Sequence, residues 1–250
     1  MLKAVLFDLD NTLIRFSERK FIEAYIVKVV PLFSDIIPPE AFLERLVFSV
    51  RALLNNNGEM SNMQYFMRHF STGYEERSAE IWRRFTEFYD TQFDQFRELV
   101  SVPQGGREVF AQLKQKGVKL VIASNPIWPM QVQMKRLSWA DLGDMQFDLV
   151  TSLENMSYCK PRLEYYQETC LKIGESPQSC LMVGNDPVND MSVATMGMKT
   201  FLVTDEGRID ESGIELSRKG WPDERAASPK PDFEGPLSDV PAAVDALIRL

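Results

Sequence analysis

Asp8 and Asp10, in the run Phe7-Asp8-Leu9-Asp10-Asn11-Thr12, directly follow an apolar stretch, Ala4 to Phe7. A lone Asp at such a place is ordinarily a cap or a turn former. Two carboxylates after a buried run are costly to leave unpaired, and a divalent cation would offset their repulsion. Backbone that stays extended past the strand points both toward one site. Three further clusters lie where later apolar runs end or lead on. Ser124-Asn125 offers a hydroxyl, an amide and backbone N–H groups suited to gripping phosphoryl oxygens, although such a pair also reads as a helix N-cap. Lys160 lies in Tyr158-Cys159-Lys160-Pro161-Arg162, where Pro161 predicts the first position of a helix. A lysine is by default a surface residue, yet an acidic site for a phosphate dianion needs a fixed cation. The fourth cluster, Val183-Gly184-Asn185-Asp186-Pro187-Val188-Asn189-Asp190, adds two carboxylates on a turn shaped by Gly184 and Pro187. Asp190 reads in part as a cap on the next helix. Oxygen ligands of this kind suit Mg²⁺ rather than Zn²⁺. His69 is the only histidine, which excludes a Ser-His-Asp triad or a His-rich metal centre.

The elements that must carry these residues are short apolar runs: Ala4–Phe7, Val118–Ala123, Phe147–Thr151, Cys180–Val183 and Thr200–Val203. Runs without alternation suit parallel strands buried on both faces. Helices are predicted between them, from Gly106 to Lys116 ending at Gly117, and from Arg162 to Ile173 ending at Gly174. The repetition implies an α/β fold, a doubly wound parallel sheet in the Rossmann-like manner. Residues 15–100 break the rhythm. Phe42, Leu43, Leu46, Val47, Val50, Leu53 and Leu54 form one helical stripe, and Ile81, Trp82, Phe85, Phe88 and Tyr89 another. Asn55-Asn56-Asn57-Gly58 and Ser71-Thr72-Gly73 punctuate these helices, and the Met- and aromatic-rich stretch from Met60 to Phe70 reads as core packing. The division expected is an α/β core of residues 1–14 and 101–250 with an inserted all-helical cap of residues 15–100. Asp205 to Pro236 reads as surface loop, and a last helix spans Val240 to Leu250.

The 250 residues are 44% hydrophobic and 26% charged, an ordinary mixture able to bury a core. A net charge of -8 argues against nucleic acid or an anionic membrane as partner. Cys159, Cys170 and Cys180 have no metal-like spacing and read as small buried side chains of a reducing compartment. Asp8 interrupts the first apolar run too early for a signal peptide, and no stretch is long enough to span a membrane, so a cytoplasmic location is expected.

Together, and in this order over nearly the whole chain, the four clusters resemble those of the haloacid dehalogenase-like (HAD) hydrolase superfamily, with a helical cap between the first and second. The resemblance implies a phosphatase in which Asp8 is the nucleophile forming an aspartyl-phosphate. It makes Asp10 general acid and then general base, lets Thr12 order the loop and bind substrate, and has Ser124 and Asn125 hold the phosphoryl group. Lys160 would neutralise Asp8 and the phosphoryl oxygens. Mg²⁺ would be held by Asp8, the Asp10 carbonyl and an acid of the fourth cluster. That cluster departs from the family's usual Gly-Asp, because Asn185 follows Gly184 and the acid comes at Asp186. Asp186 is favoured as ligand, with Asn185 a neutral oxygen donor and Asp190 behind it. The substrate implied is a small phosphorylated metabolite, phosphosugar or nucleotide. A phosphotransferase or mutase and a non-catalytic binding module are the alternatives, and Asp10 argues against carbon–halogen hydrolysis.

Overall fold

Each central strand is apolar throughout because both of its faces are covered. The computed structural model describes residues 1–204 and 229–249. It contains a six-stranded sheet: β1 (Ala4–Phe7), β2 (Lys119–Ile122), β3 (Leu149–Val150), β4 (Cys180–Gly184), β5 (Lys199–Val203) and β6 (Phe233–Gly235). The order is β3-β2-β1-β4-β5-β6, with every pairing parallel. Successive side chains alternate between two apolar layers. Val5, Phe7, Leu120, Ile122, Leu181 and Val183 share one layer with residues of α5 (Gly106–Gln115) and α8 (Val240–Ile248). Ala4, Leu6, Val121, Ala123 and Met182 share the other with Tyr165, Tyr166 and Cys170 of α7 (Leu163–Ile173). The five expected strands and the flanking helices are therefore present.

The expectation of a surface loop from Asp205 to Pro236 is corrected in its last part. Residues 205–228 lie outside the described residues, but Phe233–Gly235 forms β6, paired in parallel with β5. Three residues, Phe-Glu-Gly, are too short to show a strand's pattern against a Gly- and Pro-rich background. The last helix closes at Ile248, and Leu250 is outside the described residues.

Between β1 and α5 the chain forms α1 (Glu18–Val29), α2 (Pro39–Leu54), α3 (Asn62–Phe70) and α4 (Ser78–Thr91), joined by short 3-10 turns. The helix α3 starts in a reciprocal capping box between Ser61 and Gln64. On α2 the buried stripe is narrower than expected, since Leu43 is 43% exposed while Phe42, Leu53 and Leu54 are buried. Aromatic rings fill the interior of this block. Phe85 of α4 lies 4.6 Å from Phe33 and 5.2 Å from Phe70, centroid to centroid. The chain leaves and re-enters the sheet region side by side: Arg15 and Ser101 exchange backbone hydrogen bonds of 2.8 Å in both directions.

The block docks on the loops beyond the carboxyl ends of β2 and β3. Asn62 is fully buried; its backbone N–H donates to the Met156 carbonyl (2.8 Å), and its amide donates to the Tyr158 carbonyl (3.3 Å). Farther along, Gln131 donates to the Thr86 carbonyl, and the Trp139 indole to Asp94. Among the described residues no helix is long and apolar enough to cross a membrane. Phe85→Ala, which empties a fully buried ring site, should lower unfolding free energy by about 3–5 kcal/mol in urea titration. A loss below about 1 kcal/mol would mean that the aromatic interior does not carry the block.

Candidate active site

Strand register decides which side chains meet. Phe7 pairs with Ile122 on one side and Val183 on the other, so the next residues of β1, β2 and β4 emerge at one level. The Asp8 amide donates to Val183 (2.9 Å), and the Ala123 amide to Phe7 (2.7 Å). Asp8, Ala123 and Gly184 thus stand at one level, and the loops that begin there, with Ser124 and Asn185 next in line, leave the sheet where strand order reverses, the place where open α/β sheets gather ligands.

Asp8 is buried, and its Oδ1 accepts a 2.8 Å bond from Lys160 Nζ. The same ammonium donates at 2.7 Å to Asp190 Oδ1. Lys160 is 2% exposed, so the surface reading is wrong. The helix also begins later than Pro161 predicts: Arg162 flanks α7, which starts at Leu163. The Arg162 amide instead bonds back to the Cys159 carbonyl, and this extra turn carries Lys160 inward. Burial pulls the ammonium down, but attraction by Asp190 and Asp8 outweighs it and holds Lys160 well above its ordinary value. Asp190 is pushed up to about 7, chiefly by burial, with Lys160 opposing and Asp8 and Asp186 adding repulsion.

The fourth loop is built around its two acids. The Asp186 Oδ1 accepts from the amides of Val188 (2.8 Å) and Asn189 (3.1 Å), so Asp186 rather than Asp190 makes the capping turn. Asp190 Oδ2 accepts the Asp186 amide (3.0 Å), and a Cβ at Gly184 would collide with that oxygen. Glycine is required there by close approach, Gly184 itself being the last residue of β4 with no left-handed backbone. Thr12 Oγ1 lies 3.1 Å from Asn185 Oδ1 and 3.4 Å from Asp8 Oδ2, and its one proton serves one of them at a time. Asn11 at φ 57 folds the chain back to allow this.

Ser124 is fully buried, and among the described residues its Oγ has no hydrogen-bond partner. It is not a helix cap, because α6 (Met130–Trp139) begins six residues later, after Pro129. Its carbonyl is gripped by the hydroxyls of Thr151 (2.7 Å) and Tyr165 (3.0 Å), leaving the side-chain hydroxyl for another acceptor. Asn125 accepts from the Lys160 amide (3.3 Å) and so joins the second loop to the third. His69 lies in α3, its Nδ1 against the Tyr65 carbonyl, and takes no part in this cluster. All three cysteines are free and buried.

Sequence reasoning missed two members. Arg136 of α6 is 2% exposed and forms an ion pair with Asp10 Oδ1. Its Nη1 donates to Gln133 Oε1 (2.8 Å), and Gln133 Nε2 donates to the Thr151 carbonyl (3.1 Å). Burial pulls Arg136 down to about 10, with Asp8 opposing, so it stays charged near neutrality. The available signal was helical spacing: Gln133 and Arg136 fall among the buried Val132, Leu137 and Trp139.

The donors Asp8, Asp10, Asn185, Asp186 and Asp190 are all oxygen, which fits a hard cation. Asp8 and Asp190 share Lys160 and Asp10 pairs with Arg136, while Asp186 adds a further acid on the fourth loop, an excess of acids over cations that a divalent ion would offset. No trio of acidic, His or Cys side chains among the described residues could hold an ion unaided. Mg²⁺ fits that arrangement, because it takes one or two carboxylates and retains waters. Lys160→Met would leave Asp8 and Asp190 buried without their shared cation. It should cost about 3–5 kcal/mol in thermal or urea unfolding; an unchanged midpoint would contradict the buried triad.

Residues 2–195 match the model of the haloacid dehalogenase-like hydrolase family. The chain is 23% identical over 234 residues to the glyceraldehyde 3-phosphate phosphatase of Methanothermobacter thermautotrophicus, covering 87% of this chain and 95% of that protein. Among solved structures, a 2-haloacid dehalogenase from Pseudomonas syringae pv. Tomato superposes with TM-score 0.59 at 18% identity, over 99% of this chain and 100% of that one. A HAD-hydrolase from Bacillus subtilis bound to magnesium superposes with TM-score 0.53 at 19% identity, over 98% and 99%. These structural likenesses establish the fold. With the family match over most of its length, the chain belongs to the haloacid dehalogenase-like hydrolases.

Proposed function

We propose that this family member hydrolyses a small phosphorylated metabolite, using Asp8 as nucleophile. The observation that carries the reading is the second carboxylate: Asp10 stands two residues beyond a lysine-held Asp8, while on the neighbouring strand's loop the buried Ser124 hydroxyl has no hydrogen-bond partner among the described residues. An Asp8 oxygen attacks phosphorus, the bond from phosphorus to the ester oxygen breaks, and Asp10 gives that oxygen its proton. Water then attacks the aspartyl-phosphate while Asp10 takes the proton back, releasing inorganic phosphate and restoring Asp8. Ser124 donates to the phosphoryl oxygens, Asn125 keeps the lysine loop in place, and Thr12 holds the first loop against the fourth. Lys160 offsets charge on Asp8 and on the transferring group.

Mg²⁺ would be held by an Asp8 oxygen, the Asp10 carbonyl and Asp186, with Asn185 and Asp190 alongside, and would let a carboxylate approach a dianion. In this reading residues 15–100 act as a cap on a core of residues 1–14 and 101–250. The single backbone bridge between Arg15 and Ser101 is its hinge, and closure excludes water. Buried free thiols suit the cytosol as the place of action. The relative named for a phosphatase of a three-carbon phosphate supports a small substrate. The neutral Asn185 and the dehalogenase-like superposition favour one competing reading, metal-free halide release.

With p-nitrophenyl phosphate the protein should release phosphate only when Mg²⁺ is present. EDTA should abolish turnover, and Asp8→Asn should lower it by more than about a thousandfold, roughly 4 kcal/mol of barrier. Halide release from 2-chloropropionate in EDTA, without phosphate release, would overturn the proposal.

A further inference from the structure

Asp10 can deliver a proton to one oxygen and later take one from water only if its carboxylate is held in line with phosphorus. Asp10 is only half-buried, and its Oδ1 meets a guanidinium from a separate element, α6. That guanidinium is itself fixed. Arg136 Nη1 donates to Gln133 Oε1 (2.8 Å), and the other end of the same amide donates to the Thr151 carbonyl (3.1 Å). Gln133 and Thr151 are fully buried. Thr151 is bonded in turn to the end of β2 through its amide (2.9 Å to Ile122) and its hydroxyl (2.7 Å to Ser124).

The chain from Thr151 through Gln133 and Arg136 to Asp10 therefore begins at the sheet edge that also presents Ser124. It ties the proton-transfer group to the same rigid frame as the phosphoryl-binding group. A guanidinium held without solvent is expensive, and an apolar residue in its place would pack at lower cost. Retention of a charged side chain on the apolar face of α6 is explained by what it holds at its far end. Planar donors fixed by a side-chain amide restrict direction as well as distance, which a lysine in this position would do less well.

We propose that Arg136, oriented by Gln133, is a positioning residue that sets the direction of the Asp10 carboxylate for proton transfer to the leaving group. The proposal rests on the phosphatase reading for its kinetic consequence, but not for its geometric one.

Two aryl phosphates separate the roles. Nitrophenolate leaves readily without a proton, whereas the oxygen of phenyl phosphate depends more on Asp10. Arg136→Met should lower kcat/KM for phenyl phosphate at least about tenfold more than for p-nitrophenyl phosphate, and Arg136→Lys should recover part of that difference. Gln133→Leu, which keeps every charge, should shift the ratio the same way by a smaller factor, and it serves if Arg136→Met does not fold. Equal losses on both esters would reduce Arg136 to a structural role and overturn the proposal. A crystal structure of the folded variant supplies the readout that needs no turnover: Asp10 should leave its wild-type rotamer. If Asp10 stays in place, the positioning role fails. If Asp10 moves but neither ester is hydrolysed by the parent protein with Mg²⁺, the phosphatase reading fails while the positioning role stands.

Discussion

The structure depends on one ammonium group placed between two buried carboxylates. Lys160 bonds Asp8 at 2.8 Å and Asp190 at 2.7 Å, and all three are buried. Three strands of chain, distant in sequence, must be held together for these contacts to exist. Either carboxylate alone would be costly there, and the lysine more so. Much of the local architecture follows. Gly184 has no side chain so that Asp190 can approach, Asp186 folds the loop that brings Asp190 back, and Asn125 fixes the lysine's own backbone.

That arrangement needs a support whose dimensions do not vary, and the parallel sheet supplies it. Because β1 pairs in register with both β2 and β4, three loops start at one height. The two apolar layers anchor the strands from either side, so the charged edge is free to be strained electrostatically without moving. The helical block adds a second attachment. Buried Asn62 reaches the loops after β2 and β3, the same loops that carry Ser124 and Lys160. Any displacement of the block is therefore coupled to the residues that hold Lys160 in place.

The strands were legible because a doubly covered strand has to be apolar throughout, and four of the five read in this way end in residues of the site or lead into them, Lys160 coming ten residues after β3. The paired aspartates could be named because two carboxylates after a buried run are costly to leave unpaired, whereas Ser124 and Lys160 each had an ordinary reading, a cap or a surface residue, and stood out only in company with the rest. Three features were not legible. Phe233–Gly235 pairs only at an edge and carries too little pattern. The displacement of α7 past Pro161 depends on a backbone turn that proline spacing does not encode. Arg136 and Gln133 sit in a helix, where polar residues are common, and nothing in composition separates a buried arginine from a solvated one. Helical spacing sets them among buried apolar residues, but the contact with Asp10 that gives Arg136 its place joins residues 126 positions apart.

The same comparison shows how the site divides its two cations. Lys160 is a point charge shared between acids on two loops, and its contacts neutralise. Arg136 is planar and anchored through an amide to the backbone beyond β3, and its contacts give direction. Neither could replace the other. Between Asp8 and Asp190 a single ammonium meets one oxygen of each acid, which a planar forked guanidinium does not match, while an ammonium beside Asp10 would lose the planar link to Gln133. Charge balance alone would accept either arrangement, so the geometry of the carboxylates, and not their number, dictates which cation stands where.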